Sequence, residues 1–352
     1  MERMRFGIVG TGRISDWVLK GAVMEPRFEA AAVCSRSEEK AREFGARHGI
    51  GKTYTSVEEM AADPQIDAIY IGTPNHTHHD LAIACMKQGK HVMCEKPLAS
   101  NAREAEEMAA VARENGVVLM EAMISTLSPN FRNVQGKLPE IGTPRHYNAA
   151  FCQYSSKIDM LRRIVSGEES APVPSSFNPD CSGGATQDIG IYTIYPMVTL
   201  FGEPSSVKAD AVTMEVPVGG EMKKIDIHCT AQFSYPGMTA SVTYSKIADS
   251  RLRTEITCDG GIISLDQIHI SHGAEMIRRG APTSGRTSGP QSVDISVPCD
   301  ADEYLCEFTE FIDVVQSGAR ESVNNSLANS ISTARVIDEI RRQAGVIFPA
   351  DL

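Results

Sequence analysis

The chain has 352 residues, and its 45 acidic side chains outnumber its 34 basic ones, which gives a formal net charge of -11. At roughly 150 residues per domain, this length predicts about two domains, each large enough for its own core. The excess of negative charge disfavours nucleic acid and anionic membranes as partners, and no segment reaches the ~18 uninterrupted apolar residues of a membrane span.

The N-terminal residues lead directly into an apolar run, without the hydrophobic core and cleavage site of a secretory signal. Nine scattered cysteines include no C-x-x-C pair, so neither a disulfide framework nor a zinc knuckle is indicated. We therefore expect a cytoplasmic protein with reduced thiols.

The first third of the chain alternates short apolar runs with amphipathic stretches. The runs at residues 5–10, 28–34, 66–72, 91–94 and 117–120 predict strands, and the stretches at 11–23, 37–48, 79–88 and 102–114 predict helices. Strands that alternate with helices are typical of a doubly wound parallel α/β sheet of the Rossmann type.

Beyond about residue 122 the pattern changes to β-branched, partly alternating segments. These lie at residues 147–154, 207–214, 225–233, 239–244 and 252–258, and two helical stretches follow at 302–317 and 326–344. The sequence therefore predicts a Rossmann domain over residues 1–122 and an α+β domain over 123–352 with a large, mostly antiparallel open sheet.

The letters G-T-G-R-I-S follow the first predicted strand and open the first helix. Glycines at this point allow a tight turn and let the backbone approach a pyrophosphate held at the helix N-terminus. The alternative is a purely structural turn. The candidate dinucleotide loop consists of Gly10, Thr11, Gly12, Arg13 and Ile14.

After the second strand the chain reads C-S-R-S, where an NAD-binding protein usually carries Asp or Glu for the ribose 2′-hydroxyl. No carboxylate is present to repel a 2′-phosphate, Arg36 supplies positive charge, and Ser35 and Ser37 supply hydrogen-bond donors. We expect NADP in preference to NAD. A solvated Arg36 with bound NAD is the alternative.

Three more motifs follow predicted strands: T-P-N-H-T-H at residues 73–78, C-E-K-P-L at 94–98 and M-E-A at 120–122. With the glycine turn, they resemble the Gfo/Idh/MocA family of nicotinamide-dependent sugar and cyclitol oxidoreductases. The resemblance also implies a cis peptide bond before the proline of the second motif. It places near the cofactor Thr73, Pro74, Asn75, His78, Glu95, Lys96, Pro97 and Glu121.

The motif G-G-A-T-Q-D-I-G-I-Y contains Asp188 and Tyr192, four residues apart and therefore on one face of a predicted helix. Tyrosine in place of the family's commoner histidine resembles the branch of glucose–fructose oxidoreductase, dihydrodiol dehydrogenase and xylose dehydrogenase, many of which use NADP. The resemblance implies Lys96 as the catalytic lysine, Tyr192 as acid/base, and Asp188 as its orienting partner or an acceptor for a substrate hydroxyl. A free tyrosine has a pKa near ~10, and a neighbouring ammonium favours the phenolate. Tyr195, one turn further along, is the rival for the acid/base role.

Two features limit what the resemblance transfers. His76, His78 and His79 lack the helical spacing of a metal site, so no metal is expected. After residue 122 the letters M-I-S-T-L-S-P replace the aromatic, Arg-bearing stretch of most relatives, which predicts a less basic and less aromatic pocket wall. No named sugar substrate can therefore be transferred.

The sequence thus predicts an NADP-preferring oxidoreductase that transfers hydride between nicotinamide and a sugar-like or polyol-derived alcohol or carbonyl. The resemblance implies a homodimer or homotetramer formed through the C-terminal sheet, with the final helix, at 326–344, packed on the first domain. One alternative is the branch of redox-cycling glycosidases that hold NAD. The other is a non-catalytic dinucleotide-binding regulator, against which the presence of both Lys96 and Tyr192 argues.

Overall fold

A computed structural model describes residues 3–280, 282–283, 286–287, 291–299 and 302–352. The chain forms two compact units. The first comprises Met1–Ile124, Ala301–Ala334 and Ala350–Leu352, and the second comprises Ser125–Asp300 and Arg335–Pro349. The functional division at residue 122 stays a prediction.

The first unit contains a six-stranded sheet in which every neighbouring pair of strands is parallel. Its strands are β1 (Met4–Val9), β2 (Phe28–Cys34), β3 (Lys52–Tyr54), β4 (Ala68–Ile71), β5 (His91–Glu95) and β6 (Leu119–Ala122), in the spatial order β3-β2-β1-β4-β5-β6. The predicted doubly wound parallel sheet is confirmed. The strand order reverses at β1, so a ligand crevice is expected at the carboxyl ends of β1 and β4.

Helices separate these strands in the chain. They are α1 (Arg13–Ala22), α2 (Glu38–His48), α3 (Val57–Ala61), α4 (His78–Lys87) and α5 (Ala102–Asn115). β4 and β6 are buried throughout, as expected of strands covered on both faces. The sequence patterns missed β3 and α3, because segments of three and five residues are too short to show a period.

Two further helices return to the first unit from the end of the chain. α10 (Leu305–Gln316) lies within it, and so does the first half of α11 (Leu327–Ala344), whose Leu327 and Ile331 join the hydrophobic core around β4 and β5. Residues 335–344 of the same helix belong to the second unit. The final helix therefore packs on the Rossmann core over its first half.

An aromatic cluster fixes α10 within the first unit. The Phe308 ring lies 5.5 Å from that of Phe6 and 5.0 Å from that of Phe28, measured between centroids. Phe311 lies 5.7 Å from Phe6. Since Phe308 is completely buried, its ring contributes to stability through both area and packing.

The second unit is built on an eight-stranded sheet whose neighbouring strands are antiparallel except for β7 and β10. The predicted mostly antiparallel sheet is confirmed. Its strands are β7 (Pro144–Cys152), β8 (Ser206–Val218), β9 (Glu221–Tyr235), β10 (Met238–Ser245), β11 (Thr254–Cys258), β12 (Gly261–Leu265), β13 (Ala274–Arg278) and β16 (Gln291–Asp294), in the order β16-β13-β12-β11-β7-β10-β9-β8. The short β14 (Pro282–Thr283) and β15 (Arg286–Thr287) pair with each other.

The remaining helices are α6 (Ile124–Leu127), α7 (Pro129–Lys137), α8 (Ile158–Ser166) and α9 (Ile191–Phe201). The Tyr147 hydroxyl of β7 donates to the Thr193 carbonyl of α9 over 3.0 Å, which ties α9 to the sheet. Within the described residues, no helix combines the length and apolar character needed to cross a membrane.

Replacing Phe308 with alanine should lower the unfolding free energy by about 3–5 kcal/mol, because the surrounding rings cannot close the cavity that the change leaves. Val323→Ala is the control, since Val323 is 91% exposed and its truncation should change the unfolding free energy by less than about 0.5 kcal/mol. Urea unfolding followed by circular dichroism measures both. Similar stabilities for the two variants would contradict the assignment of α10 to this core.

Candidate active site

A cavity of about 610 Å³ opens at the carboxyl ends of β1, β2 and β4. It therefore lies where the reversal of strand order predicts a crevice. Its lining brings together three separate loops of the sequence analysis, including Gly10, Thr11, Gly12, Ser35, Arg36, Thr73 and Pro74.

The glycine turn is shaped by backbone contacts. Gly10 has φ +103°, and a Cβ there would collide with the Gly72 carbonyl. No heavy atom lies within 4 Å of the position that a Cβ of Gly12 would take, so the space beside Gly12 belongs to the cavity. An open cradle at the N-terminus of α1 fits the pyrophosphate of a dinucleotide. Arg13 and Ile14 begin α1, and the Arg13 guanidinium lies 5.7 Å from the centroid of the Trp17 ring.

The start of α2 brings a second cation to the cavity. Ser37 caps this helix, and its hydroxyl accepts the Lys40 N–H over 3.3 Å. Lys40 lines the same cavity as Arg36, and the described residues that line it include no carboxylate. A neighbouring pocket, lined by Lys40, Glu43 and Arg47 among others, does contain a carboxylate, that of Glu43. Sequence reasoning missed Lys40, which lies one turn after the cap.

His78 joins the two loops that follow β4 and β5. It is completely buried, and its ring nitrogens lie 2.8 Å from the Pro97 carbonyl oxygen and 2.9 Å from the Thr73 carbonyl oxygen. Burial lowers the pKa of His78, and a neutral imidazole donates to only one of these carbonyls at a time. Asn75 opens the 3₁₀ turn immediately before His78. His78 is thus a buried side chain that links the backbones of the two loops.

Two buried carboxylates hold the backbone on either side of Lys96, whose peptide bond to Pro97 is cis as the resemblance implies. Glu95 accepts the Tyr70 hydroxyl over 2.7 Å and the Lys96 N–H over 3.3 Å. Glu121 accepts the Leu98 N–H over 2.9 Å. These contacts show that Glu95 and Glu121 fix the loop that carries Lys96.

A third buried carboxylate, Glu307 of α10, belongs to the same electrostatic cluster. Burial raises the pKa of Glu307 well above its usual value, the charge of Glu95 raises it further, and the Lys96 ammonium opposes both effects. Burial also raises the pKa of Glu95, and that of Glu121 to about 7, again against the charge of Lys96. Each of the three carboxyls therefore interacts electrostatically with the Lys96 ammonium. No sequence signal links residue 307 to residue 95.

In the second unit, a buried aspartate shapes the motif that contains Asp188. Asp226 Oδ2 accepts both the N–H and the hydroxyl of Thr186 over 2.7 Å, and a side chain on Gly184, whose φ is +114°, would collide with this carboxylate. The turn that starts at this anchor, Thr186–Gly190, is π-helical and runs into α9. Asp188 therefore lies in a π-turn and Tyr192 in the α-helix that follows it, and their shared face stays a prediction. π-Turns inside helices are frequent at functional sites.

Tyr192 lies in the first turn of α9 and is partly exposed, whereas its rival Tyr195 is completely buried. The Tyr192 ring meets Phe151 edge-on, with 5.5 Å between centroids, and lies 6.3 Å from His269. Phe151 and His269 stack at 4.1 Å, and burial lowers the pKa of His269 to about 4, so its imidazole is neutral near pH 7. Sequence reasoning missed both residues, because nothing in their local pattern marks them.

Asp188 forms an ion pair with Lys246, which the sequence analysis also missed. The Lys246 ammonium donates to Asp188 Oδ2 over 2.6 Å. This contact joins the motif to the residue that directly follows β10. The carboxylate of Asp188 is thus already held by a cation of its own unit.

Within the described parts of the chain, no group of three His, Cys, Asp or Glu side chains could hold a metal ion. His79 instead lies between Asp80 and Glu107, at 2.8 and 3.0 Å, on the surface of α4 and α5. Of the residues predicted to be catalytic, Lys96 lies in the first unit, and Tyr192 and Asp188 lie in the second.

A parallel Rossmann sheet with an open glycine cradle, together with a second unit that carries tyrosine and aspartate in one motif, defines a dinucleotide-dependent oxidoreductase. Two family models match the chain: the oxidoreductase family with an NAD-binding Rossmann fold over residues 4–123, and the GFO/IDH/MocA C-terminal domain over residues 139–264. The chain belongs to the Gfo/Idh/MocA family.

Similar proteins include curated enzymes that match over the whole chain. The scyllo-inositol 2-dehydrogenase (NADP(+)) of Bacillus subtilis (strain 168) is 40% identical, with 99% of each chain covered. The trans-1,2-dihydrobenzene-1,2-diol dehydrogenase of Xenopus tropicalis is 32% identical, with 98% of this chain and 99% of the relative covered. A solved levoglucosan dehydrogenase in complex with NADH and levoglucosan shares the fold, with a TM-score of 0.84 at 22% identity and 98% of each chain covered.

These relatives are dehydrogenases, and the family is one of NAD-binding oxidoreductases. The chain is an NAD(P)-dependent dehydrogenase or reductase that acts on a CH–OH group. The findings support this prediction and neither of its two alternatives, the redox-cycling glycosidase and the non-catalytic regulator.

The raised pKa of Glu121 predicts a pH-dependent contribution to stability. Because the folded protein holds this proton more tightly than the unfolded chain, the contribution is full below about pH 4.5 and is lost as the pH rises through about 7. The unfolding free energy of the wild type, minus that of Glu121→Gln, should fall by on the order of 3 kcal/mol across this window.

Urea unfolding at a series of pH values measures this difference. Glu114→Gln removes an exposed carboxylate from the end of α5 and serves as the control. If the difference in unfolding free energy between the wild type and Glu121→Gln stays constant with pH, the pKa of Glu121 is not raised in the folded protein.

Proposed function

We propose that this chain is an NADP-preferring oxidoreductase of a sugar-like or other ring polyol. The observation that carries the cofactor preference is that Arg36 and Lys40 both line a cavity whose described lining has no carboxylate. Two cations beside Ser35 suit the doubly charged 2′-phosphate of NADP. The Bacillus subtilis relative, at 40% identity, is named as an NADP(+) enzyme.

The cofactor contacts that we propose are those of the sequence analysis. The backbone of Gly10, Thr11 and Gly12, followed by Arg13 and Ile14, receives the pyrophosphate at the N-terminus of α1. Thr73, Pro74 and Asn75 form the wall after β4. His78, Glu95 and Glu121 act from inside, because their polar atoms bond the loops that contact the cofactor.

Lys96, Tyr192 and Asp188 carry the chemistry in this proposal. Bound nicotinamide supplies or accepts the hydride. Tyr192 moves the proton of the reacting hydroxyl, and the Lys96 ammonium favours the negative charge that develops on that oxygen. Asp188 orients Tyr192 or accepts a second substrate hydroxyl. The partial exposure of Tyr192 favours it over the buried Tyr195.

The surroundings of Tyr192 support a ring polyol as the substrate. Phe151 and His269 are partly exposed beside it, and they offer a flat apolar surface together with a neutral imidazole that can both donate and accept. The C–H face of a ring polyol packs on such a surface while its hydroxyls bond to polar atoms. The named substrates of the relatives, scyllo-inositol and a dihydrobenzenediol, are ring compounds with hydroxyl groups.

Lys96→Ala and Tyr192→Phe should each lower turnover by about 10²-fold or more and leave the Kd for NADPH unchanged, because each removes one part of the proton and charge transfer. Initial rates with NADP+ and scyllo-inositol, trans-1,2-dihydrobenzene-1,2-diol or levoglucosan measure this, and calorimetry gives the cofactor Kd.

Tyr195→Phe is the matched control for the tyrosine, since it removes a hydroxyl one turn away, and its turnover should stay within about 2-fold of the wild type. If Tyr195→Phe loses activity while Tyr192→Phe keeps it, the acid/base role belongs to Tyr195. A wild type that is inactive on all three polyols contradicts the proposed substrate class.

Arg36→Ala and Lys40→Ala should each weaken NADPH binding by about 10-fold or more while changing NADH binding little, because only NADPH carries the 2′-phosphate that these cations face. Calorimetric titration of both cofactors measures the effect. Arg42→Ala, which removes a cation paired with Glu38 on the same helix, is the control and should leave both values unchanged. An equal loss for the two cofactors would refute the 2′-phosphate role.

We further propose a cytoplasmic homodimer or homotetramer assembled through the C-terminal sheet. One face of β8 and β9 is exposed in the isolated chain, and its exposed side chains include Asp210, Thr230 and Gln232. The nine cysteines are free thiols, as a reducing compartment requires. Light scattering of the purified protein measures the assembly, and a monomer at micromolar concentration would contradict it.

A further inference from the structure

Lys246 is a buried cation whose partners in the second unit include a carboxylate, a carbonyl and an aromatic ring. Its ammonium donates to Asp188 Oδ2 and to the Ser176 carbonyl, each over 2.6 Å, and lies 3.9 Å from the centroid of the Phe177 ring. Only 4% of its side chain is exposed. A carboxylate, a carbonyl and a ring face together fix this charge in one place.

Burial of a lysine is costly, and a buried ion pair adds little net stability compared with apolar residues of similar size. A purely structural need at this position could therefore be met by methionine. The pair instead joins a lysine side chain that is only 4% exposed to a carboxylate whose side chain keeps 34% exposure. This asymmetry suits a group that is aimed at a ligand.

The motif has separate anchors for its backbone and for its acidic side chain. Asp226 bonds the N–H and hydroxyl of Thr186 and so fixes the start of the π-turn. The Asp188 N–H donates to the Gly184 carbonyl over 3.1 Å, which holds its backbone. Neither contact involves the Asp188 carboxylate, whereas the Lys246 ammonium bonds it directly.

We infer that Lys246 is a positioning residue, whose ammonium holds the Asp188 carboxylate in the orientation in which it serves Tyr192 or a substrate hydroxyl. The inference rests on the proposed role of Asp188 in the reaction. It assigns a task to a residue 58 positions away from Asp188 and outside every sequence motif.

A double-mutant cycle between Lys246→Met and Asp188→Asn tests this inference. In the wild-type background, Lys246→Met should lower kcat by about 10- to 100-fold, as expected when a reacting group is misplaced by about 1 Å. In the Asp188→Asn background it should lower kcat by less than about 2-fold, because the group that it positions is already neutral. The Kd for NADPH should not change in any variant.

Lys223→Met is the matched control. Lys223, on β9 of the same sheet, forms an ion pair of the same 2.6 Å length with Asp180 of the turn Pro179–Cys181 and not with Asp188, and its loss should leave kcat within about 2-fold of the wild type. Should Lys246→Met fail to fold, Lys246→Gln, which keeps a donor but no charge, replaces it. Rates with NADP+ and scyllo-inositol, trans-1,2-dihydrobenzene-1,2-diol and levoglucosan give kcat and KM separately.

Equal falls in kcat in the two backgrounds, or no fall in either, would overturn the inference. Crystal structures of the wild type and Lys246→Met give a second reading that needs no turnover. The Asp188 carboxylate should change orientation in the variant, and an unchanged orientation would overturn the positioning role. If the wild type oxidises none of the three polyols, the proposed function fails, and the crystal structures alone decide the role of Lys246.

Discussion

Four carboxyl groups buried in this protein, Glu95, Glu121, Glu307 and Asp226, interact with the backbone atoms and side chains of its sequence motifs. In the first unit, Glu95 and Glu121 accept N–H groups on either side of the Lys96–Pro97 bond, and Glu307 joins their field. In the second unit, Asp226 accepts two donors from Thr186. A buried carboxylate without a donor is expensive, so each of these loops is most stable in the conformation that supplies the donors. The geometry of both motifs follows from this requirement.

The same requirement explains how a chain with a net charge of -11 can bind an anionic cofactor. Three of its acidic side chains, Glu95, Glu121 and Glu307, are buried and interact electrostatically with Lys96, and none of them lines the cavity at the carboxyl ends of β1, β2 and β4. The cavity lining itself has Arg36, Lys40 and the open cradle at Gly12. The total charge therefore disfavours polyanionic partners, while the charged groups that line the cavity determine which ligand it accepts.

Sequence reasoning predicted what local patterns encode. The six-residue glycine turn, the Thr73–Pro74 and Lys96–Pro97 loops, and the types of both sheets follow from runs of neighbouring residues, and the cavity does bring Gly10, Arg36 and Thr73 together. It could not predict partners that only folding brings close. Glu307, Lys246 and His269 lie in segments with no motif. Each interacts with a motif residue that is dozens of positions away in the sequence. The π-turn at Thr186–Gly190 was missed for the same reason, because the carboxylate that anchors its start comes from β9.

The residues of the proposed function are thus of two kinds with different constraints. Residues within motifs, such as Gly12 and Tyr192, face open space or a partly exposed surface, and their identity is limited by the chemistry of a ligand. Residues outside the motifs that bond to motif residues, such as Asp226 to Thr186 and Lys246 to Asp188, are limited by burial and by the donor or acceptor that they must match. A change in the second kind moves a reacting group without removing it. The rate of reaction and the choice of substrate can therefore change through residues that contact neither cofactor nor substrate.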